Sequence, residues 1–357
     1  MRIIQKTFCT LFILAAAAGM VFPEKVAELE EVMQPSMLAA DGEHLFVLDG
    51  IRVHVYAMKD WKHLRSFGKN GDGPGEFTSN FVNRLSMIME NGDLFMANMT
   101  KMARFTPRGE LKMEKIFPFM VMQVVPLGDH YVITRFIPGE GGINSQSVRI
   151  YNKDLEETAN LYSRPDISMQ RSRKLDCPNE QIFVRVHNGR VYVQDQRPGT
   201  HVMVFDRNGA KITEFSLPVE RIPMPQSYKD EVVEWARTAV TQIADFQNRS
   251  GLTLEQMLQM IDFHEILPGA RNFLVRPNGD MLIETYEKKA GRARFITFDT
   301  RGRIKSECFL TDPEPGRTKM MPYATYTVYG NRFFYLKDNP DSETWELHIE
   351  SLAPAKK

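Results

Sequence analysis

Six recurrences of one unit, an apolar run, a tight glycine turn and a run rich in aromatic and β-branched residues, predict an all-β fold: a six-bladed β-propeller with four-stranded blades. Two further observations carry the expectation. In most copies a third run and a polar turn into a fourth follow, so the unit is a four-stranded antiparallel sheet. The 357-residue chain is 43% hydrophobic and 25% charged, enough apolar material for a large core and too much for a disordered chain. A large sandwich or two small β domains would explain the recurring order less well.

The marker glycines are Gly42, Gly92, Gly128, Gly189, Gly279 and Gly330. Asn91-Gly92, Asn188-Gly189 and Asn278-Gly279 are two-residue hairpin signals, since both positions tolerate positive φ. The sixth copy has no residues for a fourth strand, because only SLAPAKK follows its third. Lys25 to Val32, with Val26, Leu29 and Val32 set among charges, lacks a partner and is expected to supply that outer strand and close the ring. A short helix is the competing form for this segment, since Ala, Leu and Glu favour helices.

Ahead of that strand, residues 1–22 read as a secretory signal. Arg2 and Lys6 precede an apolar run from Phe8 to Val21, and Ala16 to Ala18 offer a peptidase small side chains. A membrane anchor is the competing reading, but the run is short against the ~20 residues of a span. Cys9 lies too early for a lipoprotein. The expected mature protein, residues 23–357, is exported to the periplasm or beyond, with no membrane span. Its 45 basic and 45 acidic residues cancel, which argues against a nucleic-acid partner. Cys177 and Cys308 fall about two blades apart, too far for a disulfide.

Between blades four and five an insertion at 224–267 is helical by period. Val232, Ala236, Ala239, Ile243 and Phe246 form one stripe, and Thr253 to Gln256 match a capping box before a second short helix over Leu254 to Ile261. These helices are expected over the rim, as packing, as the wall of a cleft, or as a docking element for a protein partner. Most long connections, Gly68 to Asn83, Ile137 to Gln146, Ser163 to Glu180, Pro218 to Arg271 and Asp312 to Pro322, fall on the same rim, where function usually sits.

The segment Phe67 to Phe77, FGKNGDGPGEF, and the runs Leu45 to Asp49 and Val191 to Asp195 resemble the blade-ending loop and second-strand motif of bacterial six-bladed propellers related to NHL repeats. The resemblance implies the six-bladed fold and an exported bacterial protein, and no shared chemistry.

Aligning the copies sets Asp49, Asn98, Arg135, Asp195, Thr285 and Lys337 around one mouth, with Arg52 and Glu284 adjacent. The candidate ligand-binding residues are Asp49, Arg52, Asn98, Arg135, Asp195 and Glu284. Arg135 and Arg52 would take a carboxylate or phosphate, and Asp49 and Asp195 hydroxyl or amine groups. The competing role for both aspartates is bonding backbone amides of turns. The expected function is a binding module for a peptide, glycan or small polar ligand, without a cofactor. The alternative is a metal-assisted hydrolase, lactonase or lyase whose divalent cation would sit in the central channel on oxygens of Glu284, Asn98, Asp49 and Asp195. No zinc, nucleophile-elbow or P-loop spacing occurs. The methionines of the second copy alternate along strands and read as core.

Overall fold

A computed structural model describes residues 23–78, 85–139, 144–166, 175–178, 180–197, 199–242, 253–312 and 325–352. The signal-like stretch 1–22 lies outside the described residues. Six four-stranded antiparallel sheets follow one another along the chain. Blade one holds β2 (Pro35–Ala40), β3 (His44–Asp49), β4 (Arg52–Ala57) and β5 (His63–Phe67). Blade two holds β6 (Ser86–Glu90), β7 (Asp93–Ala97), β8 (Lys101–Phe105) and β9 (Leu111–Ile116), and blade three β10 (Gln123–Leu127), β11 (His130–Pro138), β12 (Asn144–Tyr151) and β13 (Glu157–Pro165). Blade four is β15 (Ile182–His187), β16 (Arg190–Asp195), β17 (His201–Phe205) and β18 (Lys211–Ser216); blade five is β20 (Asn272–Val275), β21 (Met281–Lys289), β22 (Arg292–Phe298) and β23 (Ile304–Thr311). Blade six combines β24 (Tyr326–Tyr329), β25 (Arg332–Asn339) and β26 (Thr344–Ser351) with the amino-terminal strand β1 (Glu24–Leu29).

The closure is therefore the expected one. β1 runs antiparallel to β26, from Glu24 opposite Ile349 to Leu29 opposite Trp345. Leu29 and Val32 are buried in the cluster of blades six and one, with Leu38, Leu45, Tyr56 and Leu347. Lys25 bonds Glu346 at 2.7 Å, and the Trp345 indole donates to the Met33 carbonyl at 3.2 Å.

Each neighbouring pair of blades shares one apolar cluster, and together these clusters run round the ring. Along β3 the side chains split between them: Phe46 and Leu48 pack toward blade two, Leu45 and Val47 toward blade six. Because both faces of an inner strand are covered, such strands read as unbroken apolar runs rather than as alternation. The blade-two methionines Met87, Met96 and Met102 are buried in this way.

The turns between third and fourth strands carry a device that repeats. Thr106, Asp206 and Asp299 each accept two backbone N–H groups of their own turn through one side-chain oxygen. Three residues on stand Gly109, Gly209 and Gly302, all at positive φ. At Gly302, φ is +77° and a Cβ would lie 2.6 Å from the Phe215 ring of the preceding blade. The turn is thus pressed against its neighbour, and glycine is required twice over, for backbone and for space. Gly302→Ala should cost about 2–5 kcal/mol, from left-handed strain and overpacking together. Gly330→Ala, at φ +60° with open space around it, should cost only the strain, about 1–2 kcal/mol. Urea midpoints check this; equal losses at the two sites would refute the packing half of the account.

Three local expectations need correction. Asn91 and Asn188 do take positive φ beside their glycines, whereas at Asn278-Gly279 only the glycine does, because the wider turn from Arg276 to Asp280 uses Asn278 to hold the Asp280 amide. The stretch Ile137 to Gln146 is largely the tip of a long hairpin, since β11 and β12 stay paired out to Pro138 and Asn144. Ile261 ends no helix. It begins β19 (Ile261–Phe263), which pairs in parallel with β14 (Leu175–Cys177), a partner 86 residues away that local periodicity cannot reveal.

The insertion itself forms α1 (Gln226–Gln242) and α2 (Leu254–Gln259). The capping box closes as expected: Thr253 Oγ1 accepts the Gln256 amide at 3.2 Å and Gln256 Oε1 the Thr253 amide at 2.8 Å. Val232 and Ala236 of the apolar stripe are fully buried; the stripe's outer members Ile243 and Phe246 lie outside the described residues.

Candidate functional site

The two rims of the ring differ. Turns between first and second, and between third and fourth, strands are short throughout. The blade-to-blade crossovers, the extended β11–β12, β21–β22 and β25–β26 hairpins and both helices belong to the opposite rim. Second strands end on that elaborated rim, so the ring sets Asp49, Asn98, Arg135, Asp195, Thr285 and Lys337 towards it.

Four of the six candidate residues hold the rim together. Asp49 accepts the amides of Met33 at 2.9 Å and Gln34 at 2.6 Å, and His54 Nε2 lies 3.5 Å away. Burial alone would raise its carboxyl, but His54 and the two amides outweigh it and hold it below the ordinary range. It ties the β1–β2 connection to blade one. Asn98 is consumed by its own turn: Oδ1 accepts Thr100 N, Thr100 Oγ1 and Lys101 N, while Nδ2 donates to the Thr78 carbonyl.

Asp195 is 1% exposed. It accepts from the Arg164 guanidinium, the Tyr162 hydroxyl and, at 3.0 Å, the Arg197 amide. Arg164 also donates to Gln146 Oε1 at 3.0 Å. Blade three thus supplies the arginine and tyrosine and blade four the carboxylate, a buried strut across one interface. Burial lowers the Arg164 guanidinium despite the opposing Asp195 charge, and burial together with Asp195 pushes the Tyr162 phenol up.

Glu284 anchors a larger network. It pairs with Arg271 at 3.0 Å and accepts the Tyr326 hydroxyl at 2.6 Å. Arg271 also reaches Asp312 at 3.3 Å, and Lys288 holds Asp312 at 2.8 Å. Asn272 Nδ2 donates to the Tyr326 oxygen at 2.8 Å. Burial and Glu284 drive the Tyr326 phenol well above its usual value, so it stays a donor. Beside this network α1 sets Tyr228 edge-on to Tyr286 of β21, with ring centroids 5.9 Å apart, and burial pushes both phenols up. The helix is packed onto blade five, not held away from the ring.

The two remaining candidates are different. Arg52 is exposed at the start of β4 and makes no ion pair among the described residues. Arg135 is half-buried, with its guanidinium 3.9 Å from the centroid of the Phe119 ring. Among the described residues its Nε has no hydrogen-bond partner, and it too makes no ion pair. The crossover that carries Phe119 exposes Met120 and Met122, at 66% and 41%. Of the other mouth positions, Thr285 is buried and accepts the Glu287 amide at 3.2 Å, and Lys337 is exposed.

The carboxylates proposed for a channel cation are thus spread over three blade interfaces. Among the described residues no three His, Cys, Asp or Glu side chains form a metal-sized group. Sequence reading missed Arg164, Arg271, Asn272 and Tyr326, whose partners stand 13 to 54 residues away; no local motif marks them.

Fold and rim define the class of protein: a six-bladed β-propeller with one plain and one elaborated face. No family model matches the chain and no curated protein matches it. Among solved structures, a Bacteroides fragilis protein whose name marks it as a candidate exported protein has a TM-score of 0.50 at 11% identity, covering 96% of this chain and 97% of its own. A DUF4221 member from Bacteroides vulgatus reaches 0.49 at 8% identity over 93% and 98%. The Neurospora crassa Pan2 WD40 domain reaches 0.42 at 5% over 94% and 98%. At these identities the first likeness is one of fold alone. No helix of the described residues is long and apolar enough to cross a membrane.

Proposed function

We propose that the protein is an exported binding module that recognises an anionic group of a peptide, glycan or small polar ligand on its elaborated rim. The observation that carries this reading is Arg135. A guanidinium packed on an aromatic face, part-shielded from water and without a carboxylate, is a prepared cation. The rim's other charges, by contrast, are largely consumed by the struts between blades. Arg52 adds a second cation on the same rim, unpaired among the described residues, and the exposed Met120 and Met122 offer apolar contact beside the Arg135–Phe119 stack. Export rests on the signal-like residues 1–22 and on the name of the Bacteroides fragilis structure. The metal-assisted alternative has no comparable support, since Asp49, Asp195 and Glu284 are each engaged within a different interface.

Peptide and glycan arrays probed with residues 23–357 test the reading. Arg135→Ala should weaken the strongest binders about 10- to 150-fold, the loss of one charge-assisted contact of about 1.5–3 kcal/mol, with an unchanged melting temperature. Arg207→Ala, on an exposed turn of the opposite rim, should bind as the wild type does. Equal binding by wild type and Arg135→Ala would sink the assignment.

A further inference from the structure

We propose that the central channel holds a separate binding site for a small oxyanion, built on Arg185. The first strands β2, β6, β10, β15, β20 and β24 line the axis. Their sequences, PSMLAA, SMIME, QVVPL, IFVRVH, NFLV and YTVY, contain three side chains that can carry charge near neutral pH. Glu90 and His187 stand at the strand ends beside the plain rim, and Glu90 is taken by Arg104 at 2.7 Å. Arg185 alone lies within a strand, where its guanidinium reaches Asn272 of blade five between the innermost strands of the two sheets.

That cation is held in place without being neutralised. Nη1 donates to the Val184 carbonyl at 2.9 Å and Nη2 to Asn272 Oδ1 at 3.3 Å. Both acceptors are neutral, Arg185 makes no ion pair among the described residues, and a guanidinium has five N–H donors, so three have no partner among those residues. Asn272 is itself fixed, because its Oδ1 also accepts the Phe273 amide at 2.8 Å and its Nδ2 donates to Tyr326, which bonds Glu284. Gln123 from β10 donates to the same Val184 carbonyl at 3.4 Å, which brings an amide from blade three to the fork. Three blades thus support one side chain, as a preorganised site requires.

Arg185 remains part-exposed, yet the ring surrounds it and strips away bulk water, which pulls its guanidinium down to about 10. A cation desolvated without a counter-charge is costly, and buried charges are normally paired. The complement that restores the balance is a planar or tetrahedral oxyanion that accepts two parallel N–H bonds, a carboxylate or a phosphate. The site is independent of the rim reading, because Arg135 belongs to the interface of blades two and three.

Thermal-shift titration of residues 23–357 with sodium acetate and with inorganic phosphate, each against sodium chloride at matched ionic strength, tests the proposal. At least one oxyanion should raise the melting temperature saturably above chloride, and the one that does so identifies the ligand class. Arg185→Gln should weaken the apparent affinity at least tenfold, and Arg207→Gln, on an exposed turn outside both sites, should leave it unchanged. Arg185→Lys, which keeps the charge and loses the fork, should fall between them; if Arg185→Gln does not fold, a loss of threefold or more in Arg185→Lys carries the proposal and an undiminished response overturns it. An equal response from wild type and Arg185→Gln overturns it, as does a wild-type response no greater than that to chloride. Loss of the oxyanion shift in Arg185→Gln with the array binders retained separates this site from the rim.

Discussion

Deleting residues 24–32 should cost the protein its cooperative fold. The segment is the outer strand of blade six and its turn into blade one, so its loss opens the ring at one joint and exposes the β26 edge to other chains. It also removes Leu29 and Val32, at 0% and 1% exposure. Leu29→Ala alone should cost about 2–5 kcal/mol, the range for emptying a buried leucine site. Calorimetry of the deletion should show a broadened transition at much lower temperature and increased aggregation; an unchanged melting temperature would end the closure argument. Acid should loosen the same joint. Lys25, and then His348, hold the Glu346 carboxyl down at about 2, against a usual 4.5. A depressed carboxyl stabilises the fold above its unfolded value and loses that contribution as pH falls through the folded one. The stability lost between pH 4.5 and 2 should therefore shrink in Lys25→Met, measured as melting temperature against pH.

Asp195→Ala should be the most damaging of the site substitutions, at about 3–5 kcal/mol, since it leaves the Arg164 charge buried without a partner. Arg164 and Asp195 have side-chain exposures of 6% and 2%, so water cannot take over for either. Arg164→Leu should cost a similar amount, and the double variant Arg164→Leu/Asp195→Leu less than the two losses added together, because it strands neither charge. Urea denaturation of the cycle checks this. A cost below about 1 kcal/mol, the range of an exposed pair, for Asp195→Ala would show that the strut is solvated.

The mouth residues show where sequence reading reached its limit. Repeat alignment places Asp49, Asn98, Arg135 and Asp195 at corresponding strand ends because strand order and turn glycines fix the ring's geometry. It does not say what each side chain meets. Asp49 and Asp195 are both second-strand aspartates in similar motifs, yet one accepts amides from the chain before its own blade and the other an arginine from the neighbouring blade. The alternative role considered for them, amide bonding in turns, describes Asp49 in kind, though its amides precede the blade, and accounts for only one of the three bonds to Asp195. Arg185 occupies the fourth place of an ordinary-looking run, IFVRVH, and only the ring brings it to Asn272 of the next blade.

The chain's own order therefore settled what depends on neighbours along it. Apolar runs, positive-φ glycines and capped turns are local, and repeating them six times with the last blade one strand short leaves β1 as the strand that closes the ring. The α1 stripe and its capping box are local in the same sense. The tertiary structure decided what depends on distant partners: the parallel pairing of β14 with β19, the Arg164–Asp195 strut, the Glu284 network, and the division of arginines into those with a carboxylate and those without. A charge's environment is set by every group within a few ångströms, and in a ring of stacked sheets most of those groups come from another blade.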